Sequence, residues 1–428
     1  MEDTFPLWIL LRLLLQVWWI WMPPVLIIAF FKSWMYYIKR ENFNKLEWVL
    51  LEIYPPSNLG NSPKIAEAIF SGLWAVVGTG SVKFDKYWKG QYPDYYSLEL
   101  VGIDGVIHFF IRTQRKYRNV VEANIYAQYS AAEIKEVPDY VDEAVPAEAP
   151  SATWDLWGTV LRLSADQSYP IRTYQSFVDI TSGAEETPQF LDPLSSLMEV
   201  LNKLKPGERV VIQILIRPVG DTWKEESQKV VDDLIGKPTA KKAGGVLVQE
   251  LAGWANASRA VAHHTLTGEQ LEFKEDQKNS AELPSKMLYL TPGQRDSVLA
   301  IENKLSKKAY ETKIQFVYLA RKDVYAGPTV SSVMGVFNQF STLNLNGLRP
   351  NKLYTTTSRY LFAVQRAIFK KRTMVKLLRG RAFWEKGYIL NIEELASLWH
   401  FPTSMVKAPA TPKVLSKKGE PPVSLPIE

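Results

Sequence analysis

"SLELVGIDGVIHFFIR", Ser97 to Arg112, is two apolar runs hinged on Asp104-Gly105. Asp-Gly supplies the left-handed backbone that a two-residue hairpin loop needs, so the stretch predicts two paired antiparallel strands. Upstream, "EWVLLEIYPP" (Glu47–Pro56) is a short β-rich run stopped by two prolines and reads as a strand. Between the two, "SPKIAEAIFSGLWAVV" sets Ile65, Ile69, Leu73 and Val76 at helical spacing behind Ser62, a candidate N-cap, with Pro63 in the first turn. Downstream, a helical "YRNVVEANIYAQY" and a short strand "EIKEV" complete the order β-α-β-β-α-β, the ferredoxin-like pattern.

"PDYVDEAVPAEAP" (Pro138–Pro150) then mixes proline, alanine and four acids with little periodicity, as a linker does. A strand near Trp157–Leu163 or Ile171–Ile180 precedes a helical "LSSLMEVLNKL". "GERVVIQILIRP" (Gly207–Pro218) is apolar at successive positions, the mark of a strand covered on both faces. "TKIQFVYLARK" is another strand and "VSSVMGVFNQF" a helix, with about ninety residues between the two strands. This is a second unit of the same order whose central connection has received a helical insertion.

The expected fold class is therefore α+β: an N-terminal transmembrane helix followed by two ferredoxin-like domains. The boundaries are an anchor at 1–40, a first domain at 45–138, an acidic Pro/Ala linker at 139–156, and a second domain at 157–350 with its insertion at about 221–306. A basic helical segment and the stretch "EELASLWHFP" occupy 351–401, and a proline-rich tail 402–428.

The anchor rests on Leu13–Phe31, nineteen residues without a charge. As a helix they rise about 28 Å, close to the roughly 30 Å hydrocarbon core of a bilayer. Trp8, Trp18, Trp19, Trp21 and Trp34 cluster in and around this run, as interface-seeking side chains do, and Pro23-Pro24 predicts a kink. Glu2 and Asp3 at the start, and no A-x-A-like exit, argue against a cleaved signal peptide. Lys32, Lys39, Arg40 and Lys45 follow the run whereas only Arg12 precedes it, which predicts a cytoplasmic body and an external N-terminus in a bacterial inner membrane.

Of the 428 residues, 46% are hydrophobic, enough for two or three cores. None is cysteine, which excludes disulfides, thiolate metal sites and cysteine nucleophiles. "VVGTGSVK" (Val76–Lys83) brings a phosphate loop to mind. However, Gly78 and Gly80 follow a helix, Lys83 is not preceded by glycine, and no Ser/Thr follows it, so a glycine C-cap and turn is the better account. His108 lies within a strand; His263 and His264 are adjacent and would diverge on a strand, a poor arrangement for one metal. No cofactor, metal or catalytic residue is assigned.

Two features stand out. From Asn351 to Lys386 ten basic residues face a single acid, Glu385, with Tyr360, Phe362, Phe369 and Phe383 interleaved. Lys352, Arg359, Arg366, Lys370, Lys371, Arg372, Lys376, Arg379 and Arg381 are the candidate contacts to nucleic acid or anionic lipid; a solvated helix face and an acidic protein partner remain alternatives. In "YILNIEELASLWHFP" (Tyr388–Pro402), Asn391 and Glu394 have capping-box spacing, and the apolar residues suit one short helix. That surface either folds back onto the second domain or docks a partner through Leu395, Leu398, Trp399, His400 and Phe401.

"WVLLEIYPP", then the run from "YSLELVGIDGVIHFFIR" to "EIKEVPDYV", and finally "YILNIEELASLWHFP" with "PPVSLP" resemble the N-terminal portion of membrane-anchored proteins related to type IV secretion and conjugative DNA-transfer ATPases of candidate phyla radiation bacteria. The resemblance runs from about Glu47 to Pro426 and its motifs are structural. In longer relatives a stretch like "NIEELASLWHFP" leads into a P-loop motor; here there are no Walker motifs. The resemblance implies a non-enzymatic scaffold that docks an ATPase on a separate chain, contacts the bilayer and has DNA or further copies of itself as other candidate partners. Two rivals are a membrane-bound nucleic-acid-binding protein using the 352–386 segment and a membrane enzyme with dispersed site residues. Purified protein should hydrolyse no ATP above buffer, and Lys83→Ala should leave nucleotide binding unchanged. Saturable ATP binding abolished by that substitution would show that the loop had been misread.

Overall fold

The Asp104-Gly105 hinge forms as the sequence predicts. Both residues take positive φ (52° and 86°), and β2 (Tyr96–Ile103) folds back on β3 (Val106–Gln114) with Ile103 opposite Val106. The structure is a computed structural model that describes residues 16, 18–56, 62–76, 94–179, 189–235, 290–383 and 386–402. Around this hairpin β1 (Trp48–Tyr54) pairs with β3 and with β4 (Glu133–Val137), and the helices α2 (Ser62–Val76) and α3 (Arg118–Gln128) connect the strands. The first unit thus has the order β-α-β-β-α-β, with the strands lying β4-β1-β3-β2.

The second unit repeats it. The strands are β5 (Trp154–Leu163), β8 (Glu208–Pro218), β9 (Ala309–Arg321) and β10 (Leu348–Pro350), and they lie β10-β5-β9-β8. The helices are α5 (Ser195–Asn202) before β8 and α8 (Gly327–Asn338) after β9, while β6 (Val178–Asp179) and β7 (Gln189–Phe190) form a separate two-stranded ladder. The first strand is the earlier of the two candidates, Trp157–Leu163 with a three-residue lead.

The two units are not separate sheets. β2 and β8, each the second strand of its unit, pair antiparallel over eight positions, with Leu98 opposite Ile214 and Val101 opposite Val211. The result is one mixed α+β body on a single antiparallel sheet. Along β8, Val210, Ile212, Ile214 and Ile216 face one core and Val211 the other, which is why that strand reads as continuously apolar. The larger core is covered by α2, α3, α5 and α8. The second face is covered by α4 (Tyr140–Ala144) and by the C-terminal half of α9 (Ala363–Gly380), through Met374, Val375 and Leu378.

That second face changes the reading of 139–156. Tyr140, Val141, Ala144, Val145 and Ala149 are buried, so this stretch packs as a cover where a solvated spacer was expected. Proline and acids masked a short apolar stripe, and Asp139 serves as the N-cap of α4 by accepting from the Val141 N–H at 3.0 Å. The expected insertion supplies α6 (Thr222–Ile235) and α7 (Pro292–Leu305), which pack through Val231, Ile235, Val298 and Ile301. Its middle, with His263 and His264, lies outside the described residues, as does "VGTGSVK".

The expected anchor begins at Leu13, outside the described residues. From Trp18 it is helical as α1 (Trp18–Asn44), with Pro23 and Pro24 inside it. Among the described residues no helix is long and apolar enough to cross a membrane. The described residues therefore do not support the expected transmembrane helix, and the fold class they show is the α+β body.

The C-terminal stretch completes the sheet. β11 (Tyr388–Asn391) pairs with Ala309–Thr312 of β9, beside the portion that β5 leaves bare, since β5 pairs only from Ile314 onward. Gly387 makes this approach possible, because a Cβ there would lie 2.4 Å from the Thr312 carbonyl oxygen. α10 (Ile392–Leu398) follows at once and packs on α2, with Trp399 against Phe70 and Phe109, and Phe401 against Phe109 and Tyr129. Trp399 is only 1% exposed. Trp399→Ala should cost about 3–5 kcal/mol by opening a cavity in the larger core. Ending the chain at Gly387 should give a protein without a cooperative unfolding transition in circular dichroism. A truncated chain that melts like the full one would refute this role.

Candidate functional site

The proposed docking residues Leu395, Leu398, Trp399, His400 and Phe401 are all buried, which corrects their assignment as a partner-facing surface. The apolar side chains were read correctly; what they cover is this chain's own sheet. Both capping-box hydrogen bonds form: the Glu394 N–H donates to Asn391 Oδ1 at 2.8 Å, and the Asn391 N–H donates to Glu394 Oε2 at 2.8 Å. His400 sits between two acceptors, Nδ1 at 2.7 Å from the Ala396 carbonyl and Nε2 at 3.0 Å from Asp192 Oδ1. It ties α10 to the approach to α5.

Glu394 does more than cap. It accepts from the Ile171 N–H at 2.8 Å and meets the Lys304 ammonium of α7 at 3.1 Å, with neither side chain exposed. Burial lowers the Lys304 pKa, countered in part by Glu394; burial raises the Glu394 pKa, countered in part by Lys304 and two backbone N–H groups. Lys304 Nζ also donates to the carbonyls of Gln167 at 2.8 Å and Ile389 at 2.9 Å. Lys304 Nζ thus has three acceptors inside the chain, one for each proton of its ammonium. Next to it a cleft of about 540 Å³ is lined by Arg172, Asn303, Lys307 and Glu393 among others. Lys307 bridges Glu393 at 2.7 Å and Glu67 at 2.8 Å, which raises its pKa although burial works to lower it. These contacts lock α2, α7 and α10 together.

The nine basic candidates part company in space. Arg381 is fully buried, 2.7 Å from Glu99 through Nε and 2.5 Å from Asp139 through Nη1. Tyr140 donates to Glu99 at 2.5 Å and Gln213 to the same carboxylate oxygen at 3.2 Å. Asp139 stays below its ordinary pKa: burial raises it, and the Arg381 hydrogen bond and charge outweigh that. Arg379 binds Asp142 at 2.8 Å and the Val145 carbonyl, Lys371 binds Asp155 at 2.5 Å, and Lys370 donates to the Lys352 and Thr355 carbonyls. Arg381 is therefore excluded as an external contact, and Arg379 and Lys371 are engaged internally. The side chains of Lys352, Arg359, Arg366, Arg372 and Lys376 are exposed.

Sequence reasoning missed Glu99, Asp139 and Lys304 as partners. The available signal was an acid such as Glu99 inside an otherwise apolar strand, which demands a buried cation from somewhere in the chain. Elsewhere His108 meets Glu52 at 2.6 Å; burial raises the Glu52 carboxyl pKa, but the bonds from His108 and Tyr54 hold it below the ordinary value. Among the described residues no group of three or more His, Asp or Glu is placed to hold a metal ion.

Arg381→Leu should destabilise by about 3–5 kcal/mol at pH 7, because it leaves the buried Glu99 without its cation. In the parent, the depressed Asp139 pKa contributes stability that is full above pH 3.8 and fades as pH falls through the lower folded value. The variant should lose that acid-range slope. Urea titrations at pH 7 and between about pH 4 and pH 2 read both effects, and an unchanged midpoint at pH 7 would overturn the assignment.

No curated protein matches the chain in sequence. A family profile described as a domain of unknown function, DUF8128, matches residues 44–413, which takes in both β-α-β-β-α-β units, α9 and the β11–α10 closure. The chain is a member of the DUF8128 family.

Proposed function

We propose that the chain is a non-enzymatic, membrane-held scaffold subunit of a type IV secretion-like or conjugative DNA-transfer apparatus, which docks a P-loop ATPase carried on a separate chain. The observation that carries this reading is α1. Its successive residues Val25, Leu26, Ile27 and Ile28 are all exposed, Ile27 at 67%, so apolar side chains point outward on every side of the helix. Water is a poor surrounding for such a helix; lipid, or another apolar helix within lipid, suits it. Lys32, Lys39, Arg40 and Lys45 follow the apolar part and favour a cytoplasmic body at a bacterial inner membrane, with the N-terminus outside.

In this reading both units are ferredoxin-like, and their fusion through β2 and β8 makes a stiff platform. The resemblance to secretion and conjugation proteins supplies the partner class. Because Leu395, Leu398, Trp399, His400 and Phe401 are buried, the ATPase docks elsewhere on the body.

The test uses tagged full-length chain in a bacterial host. It should resist carbonate extraction from membranes, be digested by protease in inverted vesicles and be spared in intact cells. Extraction by carbonate would refute the membrane attachment, and digestion in intact cells the orientation. A detergent-solubilised pull-down should retain a P-loop ATPase, and a membrane-held chain that retains none would leave the scaffold role without support.

A further inference from the structure

We infer a second, independent lipid contact: the loop before α9 and the N-terminal half of that helix form an interfacial patch for an anionic bilayer surface. The C-terminal half of α9 is a cover for the sheet through Met374, Val375 and Leu378, whereas the first half projects past it. There Tyr360, Leu361, Phe362, Val364 and Phe369 are exposed, Tyr360 at 90% and Phe369 at 72%. Tyr360 and Phe362 hold left-handed backbone (φ 73° and 56°), a strain that bulky residues rarely carry and that here accompanies two outward rings.

Charge selects the occupant. Residues 352–384 contain nine Lys or Arg and no acid. Lys371, Arg379 and Arg381 are spent internally, and Arg359, Arg366, Arg372 and Lys376 remain exposed around the apolar side chains. On a helical wheel Arg366, Phe369, Arg372 and Lys376 share the outward side of α9, and Tyr360, Leu361 and Phe362 lie just before its first turn. A nucleic acid would use the cations and could stack on a ring, but it offers nothing to Leu361, 81% exposed beside them. A headgroup layer over acyl chains satisfies both sets, with aromatic and aliphatic groups below the phosphates and basic groups among them. This goes beyond the anchoring role of α1, since it stands on α9 alone and specifies the lipid charge.

The chain has no cysteine, so Phe369→Cys gives a single labelling site on the full-length protein. An environment-sensitive dye there should blue-shift and become quenchable by spin-labelled lipid in vesicles of 70% phosphatidylcholine and 30% phosphatidylglycerol. It should do neither in pure phosphatidylcholine. Arg366→Glu with Arg372→Glu should weaken the contact equilibrium at least about 30-fold, at about 1 kcal/mol per basic group, and high salt should weaken it likewise. Ile27→Cys, labelled in parallel, reports α1 separately. Quenching at position 27 with silence at 369 overturns this inference and leaves the scaffold reading standing; quenching at 369 with silence at 27 does the reverse. Equal quenching in neutral vesicles, a label already shielded in detergent by the chain's own segments, or a shift with single-stranded DNA and not with vesicles would each overturn it.

Discussion

The pairing of β2 with β8 is the constraint from which the rest follows. Joining two units edge to edge removes the exposed second strand of each, and it yields a wide sheet with apolar side chains on both faces. Four helices of the two repeats cover one face. Nothing within either repeat covers the other, so the chain must recruit segments that lie outside the β-α-β-β-α-β pattern. α4 comes from the stretch between the units and α9 from the stretch after them. Their meeting point is the Arg381–Glu99–Asp139 cluster, where a cation from the end of α9 reaches an acid in β2 and the cap of α4.

This division explains what could be read in advance. Periodicity and turn chemistry are local, so the Asp104-Gly105 hairpin, the "EIKEV" strand, the doubly apolar β8 and the Asn391–Glu394 cap were all legible. The order of both units was legible for the same reason. Long-range destinations were not. "PDYVDEAVPAEAP" looks like a spacer because its apolar residues are mostly small, broken up by prolines and acids, and without a lasting period, and only a bare sheet face gives them a use. "LASLWHFP" looked like a surface in search of a partner because Phe70, Phe109 and Tyr129, which its aromatic side chains cover, belong to the first unit, far upstream in the chain. Arg381 was counted with its neighbours as an external cation, although the acids that claim it are 282 and 242 residues away.

The candidate site shows the same logic in charge. Within one uninterrupted basic run the structure separates residues by what lies opposite them. Those over the body find Asp155, Asp142, Asp139 and Glu99, and those on the overhang find none of these acids. A run of like charges is therefore two features in sequence, an internal tether and an outward patch. Lys304 belongs to the tethering kind: its burial is tolerable because Glu394 and two carbonyls take every proton.

The position of β11 also sets an order of events during synthesis. Ala309–Thr312 of β9 and the ammonium of Lys304 must both wait for residues 389–394, near the end of the described chain. Until those residues leave the ribosome, the nascent protein carries a half-open strand edge and an unpaired lysine close to it. N-terminal segments fold first as a chain emerges, so α1 and the first unit are available early and the last piece to arrive closes the second. A ribosome that stalls before Asn391 would release a chain that displays an open edge. An open strand edge is a template for pairing with other chains, so β11 also shields β9 from edge-to-edge association.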